Sequence, residues 1–186
     1  MRLGPSRAAL IAALALPSVA AAQAQHAHVH GQAFVDVAVD GGLVEINLRA
    51  TAQDLVGFER DAATPEEEAQ VLAARKAVLD HARLWQFNAA ARCVAEGPVL
   101  EVPGAGKAHD HDHSHDHEGH DDHVAHSDWT VRYRFRCSAP EALSAIESGM
   151  FAVFPSLQSA TVQVLDANGA REETLTASAN RLALAQ

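Results

Sequence analysis

The chain predicts one α+β domain: a mainly antiparallel β-sheet with two helices packed on one face and a long His-rich inter-strand loop. Three observations carry that reading. Short runs alternate apolar and polar residues between turn signals, as half-buried strands do. Two Ser/Thr-x-x-Glu starts, Thr64-Pro65-Glu66-Glu67 and Ser138-Ala139-Pro140-Glu141, each precede apolar residues at helical spacing. Between two of the strands lies a stretch, His109 to His126, in which eight of eighteen residues are His, five are Asp and one is Glu.

The first residues stand apart from the fold. Arg2 and Arg7 precede an apolar run, Ala8 to Leu16, and a small-residue segment ending near Ala24. That is the layout of a secretory signal peptide, so residues 1–24 are expected to be removed and residues 25–186 to form the domain. No other stretch is apolar for long enough to span a bilayer. The whole chain carries a formal charge of −10, and both Arg2 and Arg7 lie in the leader. The mature chain is therefore still more acidic, which excludes nucleic acid as a partner and suits cations.

Taken in order, the mature chain opens on His26, His28 and His30, whose i, i+2, i+4 spacing puts them on one face of an extended segment. Val35, Val37 and Val39 then alternate with Phe34, Asp36 and Asp40, which reads as a strand. Asp40-Gly41 signals a hairpin, and Val44, Ile46 and Leu48 form the return strand. Thr64 is the N-cap of the first helix, with Pro65 in its first turn; Val71, Leu72, Val78, Leu79, Ala82 and Trp85 are expected to face the sheet. His81 reads as a structural histidine near the end of this helix.

Cys93 to Val102 reads as a strand broken at Gly97-Pro98, and Trp129 to Cys137 as the clearest strand of all. Its even-spaced partners Arg132, Arg134 and Arg136 read as a solvated face meeting acidic neighbours. The second helix is expected to carry Leu143, Ile146, Met150 and Phe154 and to stop at Pro155. Thr161 to Leu165 and Arg171 to Leu175 form a last strand pair around the turn at Asn168-Gly169. The final eleven residues give no signal.

The histidine tract makes residues 104–127 an expected disordered loop, too poor in apolar side chains to offset the entropy of ordering. Its composition points to metal. Neutral imidazole is the commonest ligand of divalent transition ions, and neighbouring carboxylates complete a shell or hold the second ring nitrogen. The candidate ligands are His109, His111, His113, His115, His117, His120, His123 and His126, with His26, His28 and His30 as a second cluster. Zn(II) is the expected ion, although imidazole alone does not separate it from Cu(II).

Cys93 and Cys137, an even count in an exported chain, suggest a disulfide, with a pair of thiolate ligands as the alternative. No motif of an enzyme is present: no H-E-x-x-H, G-x-S-x-G, P-loop or dinucleotide turn.

HVHG at 28–31, LVGFE at 55–59, the helix start TPEEE, a Cys on each side of a His/Asp tract and FAVFPSLQSATVQ at 151–163 together resemble the ZrgA-like periplasmic zinc-uptake proteins. The resemblance implies a Gram-negative periplasmic protein that binds zinc through the His-rich region and assists a zinc ABC transporter or its solute-binding protein. It carries over to His109–His126, His28 and His30. Where relatives place a His after GFE, this chain has Arg60, so no ligand is carried over there; Glu59 remains as a carboxylate partner. Two other readings compete: a metal-responsive interaction module, and a Cu(II) or Ni(II) storage and detoxification protein.

Overall fold

The computed structural model describes residues 29–101 and 128–184. In chain order the elements are β1 (Gln32–Asp40), β2 (Leu43–Thr51), α1 (Ala52–Leu55), α2 (Pro65–Leu79), α3 (His81–Leu84) and β3 (Trp85–Phe87). There follow β4 (Cys93–Ala95), β5 (Val99–Glu101), β6 (Asp128–Cys137), β7 (Ala145–Ser148), α4 (Met150–Val153), β8 (Ser159–Asp166), β9 (Gly169–Thr176) and β10 (Arg181–Ala183). The large sheet has the order β4-β6-β2-β1-β8-β9, with β5 continuing the β4 edge along β6. Its pairings are antiparallel except β1 with β8, which run parallel. A second, three-stranded sheet has the order β10-β7-β3.

The period-two runs build the large sheet as expected. On β6, Trp129, Val131, Tyr133, Phe135 and Cys137 are all buried, while Arg132, Arg134 and Arg136 are exposed. Val35, Val44, Ile46, Leu48, Val131 and Val162 are among the fully buried side chains, so the core lies on one face of this sheet. Burying a side chain of that size contributes about 1.5–3 kcal/mol. Helix α2 closes over the core: the Tyr133 hydroxyl donates to the Val78 carbonyl at 2.6 Å. Trp85 meets the Tyr133 ring edge-on with centroids 5.8 Å apart, and Phe87 lies 4.7 Å from Phe135.

Helix α2 begins as its sequence dictates. Thr64 is extended and its hydroxyl accepts from the Glu67 N–H at 3.2 Å. The Glu67 carboxylate reaches back to the Ala63 N–H at 2.7 Å. Its buried stripe is Ala74 and Val78 with Val71 half-buried, whereas Leu72, Leu79 and Ala82 are exposed, against expectation. The helix ends at Leu79 because Asp80 leaves helical geometry and restarts the chain as α3, accepting from the Arg83 N–H. Trp85 therefore sits on a strand. His81 is structural, its ring set edge-on to Phe135 at 5.9 Å.

The second helix is not formed, which corrects the expected pair. Leu143, Ile146, Met150 and Phe154 are all buried, but on a 3-10 turn at Pro140–Ala142, strand β7 and the single turn α4. Side chains far away in sequence take the backbone groups a helix would need. Asn88 donates to the Ala142 carbonyl at 2.7 Å and accepts from the Ser144 N–H at 2.9 Å. Asn180 exchanges backbone and side-chain bonds with Ser148. Gly149 then lets β7 and α4 pass against α3, where a Cβ would lie 2.0 Å from the Arg83 carbonyl oxygen.

Candidate metal centre

Strand directions decide what meets at each end of the large sheet. Phe34 at the start of β1 pairs with Arg49 near the end of β2; Thr51 ends β2 opposite Asp128, which begins β6. Glu101, ending β5, pairs with Thr130. The residues flanking segment 102–127 therefore lie at the same sheet end as the start of β1, Asp128 two strands away and Glu101 three, lateral separations of roughly 10 and 15 Å. The opposite end carries the cystine: Cys93 and Cys137 face each other across β4 and β6 and are bonded.

His30 lies two residues before the first residue of β1. Its Nε2 lies 3.0 Å from the Glu59 Oε1, with the imidazole 59% exposed and the carboxylate only 17%. The backbone beneath the ring is fixed by a buried group. Asp54, 5% exposed, accepts from the Gly31 N–H at 2.8 Å and from the Thr51 hydroxyl at 3.0 Å. The Thr51 hydroxyl in turn accepts from the Asp54 N–H, so Thr51 and Asp54 form the N-cap of α1. On its other side the Gly31 carbonyl accepts from the N–H groups of Gln158 and Ser159. Gly31 has φ +81°, a left-handed conformation that penalises any side chain. The LVGFE segment completes the arrangement, with Leu55 buried and Glu59 turned back onto His30.

Arg60, standing after Glu59, is engaged elsewhere. Its guanidinium bonds both oxygens of Glu67 and lies 5.1 Å over the Phe58 ring. The hydrogen bonds from Arg60 and from the Ala63 N–H hold the Glu67 carboxyl down at about 2. That ties the segment bearing Glu59 to the first turn of α2.

Of the candidate ligands, His30 alone lies among the described residues. His26, His28, His109, His111, His113, His115, His117, His120, His123 and His126 fall outside them, as do residues 1–24, the expected loop 104–127 and Val102, the last residue of the expected strand. Among the described residues no group of three or more His, Cys, Asp or Glu is close enough to hold a metal ion. The thiolate alternative for Cys93 and Cys137 is overturned by their disulfide. Asp54 is the residue that sequence reading passed over; the Thr51-x-x-Asp54 capping spacing is the signal that marks it.

The outer face of the sheet curves into a trough of about 800 Å³ whose walls include Asp36, Glu45, Asn47, Arg132 and Arg134. The arginines of this face of β6 are paired as expected: Arg132 with Glu101, Arg134 with Glu45 at 2.6 Å, and Arg136 with Glu96 at 2.8 Å. Exposed pairs of this kind contribute about 0–1 kcal/mol each and form a solvated surface.

A family model described as the ZrgA family zinc uptake protein matches residues 27–184. The chain belongs to that family. No curated protein matches it. The matched span includes in full both motifs that build the His30–Glu59 pair, HVHG at 28–31 and LVGFE at 55–59. Membership connects the chain with zinc uptake.

Proposed function

We propose that this zinc-uptake protein captures Zn(II) in the periplasm through the histidines of 109–126, with His26, His28 and His30, and passes it to an ABC-type zinc importer. The observation that carries the reading is the convergence of both flanks of segment 102–127 on the sheet end that bears His30. An extended chain covers roughly 3.3 Å per residue, so imidazoles anywhere in the tract reach that end. Zinc is the cargo, and three or four ligands at about 2.0–2.3 Å hold it.

Ordering each flexible residue around the ion costs roughly 1–2 kcal/mol. A tract of this kind therefore binds less tightly than a rigid cage and releases its ion readily, which suits hand-over. The disulfide supports an oxidising compartment. Among the described residues no helix is long and apolar enough to cross a membrane.

The test removes residues 109–126 from the untagged, leaderless chain and measures zinc bound at neutral pH against a weak chelator. Most of the bound zinc is expected to be lost, together with growth at low zinc. Unchanged stoichiometry and growth would overturn the assignment of the tract.

A further inference from the structure

The trough on the outer face of the large sheet takes no part in zinc capture, and strand register arranges its chemistry in rows. Arg132 on β6 lies opposite Asn47 on β2, and Asn47 lies opposite Asp36 on β1. All three line the trough. One line across the strands therefore presents a guanidinium, an amide and a carboxylate. Strand spacing sets the two opposite charges roughly 10 Å apart, with the amide midway.

These groups have capacity to spare. Both contacts of the Asp36 carboxylate fall on Oδ2, from the Asn47 amide at 3.4 Å and the Arg49 guanidinium at 3.7 Å. Its Oδ1 has no partner among the described residues. The Asn47 Oδ1 also lacks a partner although it is shielded from water. Since the one bond of that amide is long, it can turn toward an arriving donor without losing a strong contact. Arg132 is paired with Glu101, and both side chains are more than half exposed. Such a pair stabilises little, so a ligand carboxylate can exchange for Glu101 on the guanidinium.

Between the charges the trough suits an uncharged chain. Ala38, the next outward residue of β1, leaves the floor low beside the exposed Leu165, its partner on β8. Exposed Val99 stands on the other flank, opposite Arg132. A single inorganic ion meets only one end of this row. An extended peptide advances about 3.3–3.6 Å per residue, so a tripeptide separates its ammonium and carboxylate by roughly the required length.

We infer that the trough is a binding site for short peptides with free termini, about three residues long by that measure. The peptide lies across the strands with its carboxylate on Arg132, a backbone amide on Asn47 and its ammonium on Asp36. The site uses no histidine and does not depend on zinc capture by residues 109–126.

The experiment follows amide spectra of the leaderless, isotope-labelled chain during titration with trialanine, its N-acetyl and C-amide derivatives, and dialanine. Trialanine is expected to bind with millimolar or better affinity and to shift residues of β1, β2 and β6 around the trough. Blocking either terminus should weaken binding about fivefold, the upper order for an exposed ion pair. Dialanine, too short to span both charges, should bind as weakly as the blocked peptides. The variants Asp36→Asn and Arg132→Gln assign the ends. In Asp36→Asn acetylation should cease to matter while amidation still does, and in Arg132→Gln the reverse. Both side chains are exposed, so the melting temperature should hold in each variant. Absence of shifts around the trough at millimolar trialanine overturns the site. Binding that ignores the terminal charges overturns it too, as do variants that respond to both blocked peptides just as wild type does.

Discussion

Reducing the Cys93–Cys137 bond tests whether stability and zinc capture occupy separate ends of the molecule. The cystine joins residues 44 apart in sequence, and segment 102–127 makes up more than half of the chain it closes. In the chain-entropy account a loop of that length contributes about 4 kcal/mol. For a domain of this size that corresponds to roughly 8–16 °C in melting temperature. The bond joins β4 and β6 at the sheet end opposite His30 and Asp128, the length of β6 away, roughly 30 Å.

Reduction, or the Cys93→Ala/Cys137→Ala double variant, should therefore lower the melting temperature by that amount. The zinc affinity of the folded protein should change less than twofold. Because the entropy depends on the logarithm of loop length, deleting residues 109–126 should lower the worth of the bond by only ~0.5 kcal/mol. Thermal and urea unfolding followed by circular dichroism measure each term in a double cycle. A loss under 1 kcal/mol, or a loss of zinc affinity in parallel with stability, would refute the separation.

Two further outcomes follow from titration. Zinc affinity should fall steeply from pH 7 to pH 5.5, since imidazole must be deprotonated to bind and ordinarily titrates near 6.5; a flat calorimetric profile there contradicts imidazole ligation. The second concerns Glu67, held down at about 2 by Arg60 and the Ala63 N–H. Its depressed value means its contribution to stability is complete above the unfolded carboxylate value, roughly 4.3, and is lost as pH falls through about 2. Glu67→Gln should thus be less stable than wild type at neutral pH, with the difference closing between pH 4.5 and pH 2 in acid unfolding curves.

Much of the fold was legible because its signals are local. On β6 every second residue is apolar over nine positions, and burial follows that alternation residue by residue. Thr64, Pro65 and Glu67 announce the start of α2 through contacts spanning three or four residues. Where the reading failed, distant groups decided. The spacing of Leu143, Ile146, Met150 and Phe154 satisfies a helix, yet Asn88 and Asn180 capture the backbone and a strand results. Strand β10, three residues long, is too short to show any period. Exposed Leu72 and Leu79 adjoin Val71 and Val78 in sequence, so spacing alone could not choose between two neighbouring stripes.

The candidate site divides in the same manner. His30 and Glu59 stand in motifs that a reader notices, but their contact joins residues 29 apart and is visible only in three dimensions. Asp54 is marked locally by its capping spacing to Thr51, but its long-range partner is the Gly31 N–H, a group that every residue but proline possesses.

These features together explain why so polar a tract is tolerated between two strands of one sheet. Strand β5 contributes three residues of pairing to β6, whereas β2 pairs along nine positions of it, so the sheet is secured without its help. Lengthening a flexible connection costs only about 0.6 kcal/mol for each doubling, and the core residues of β1, β2, β6 and β8 are indifferent to it. What cannot vary freely is the junction: Gly31 needs its left-handed backbone, Asp54 must stay paired while buried, and Thr51 must stay opposite Asp128. The physical constraint in this protein lies at that junction, and under the proposed function the ion capacity would lie along residues 109–126.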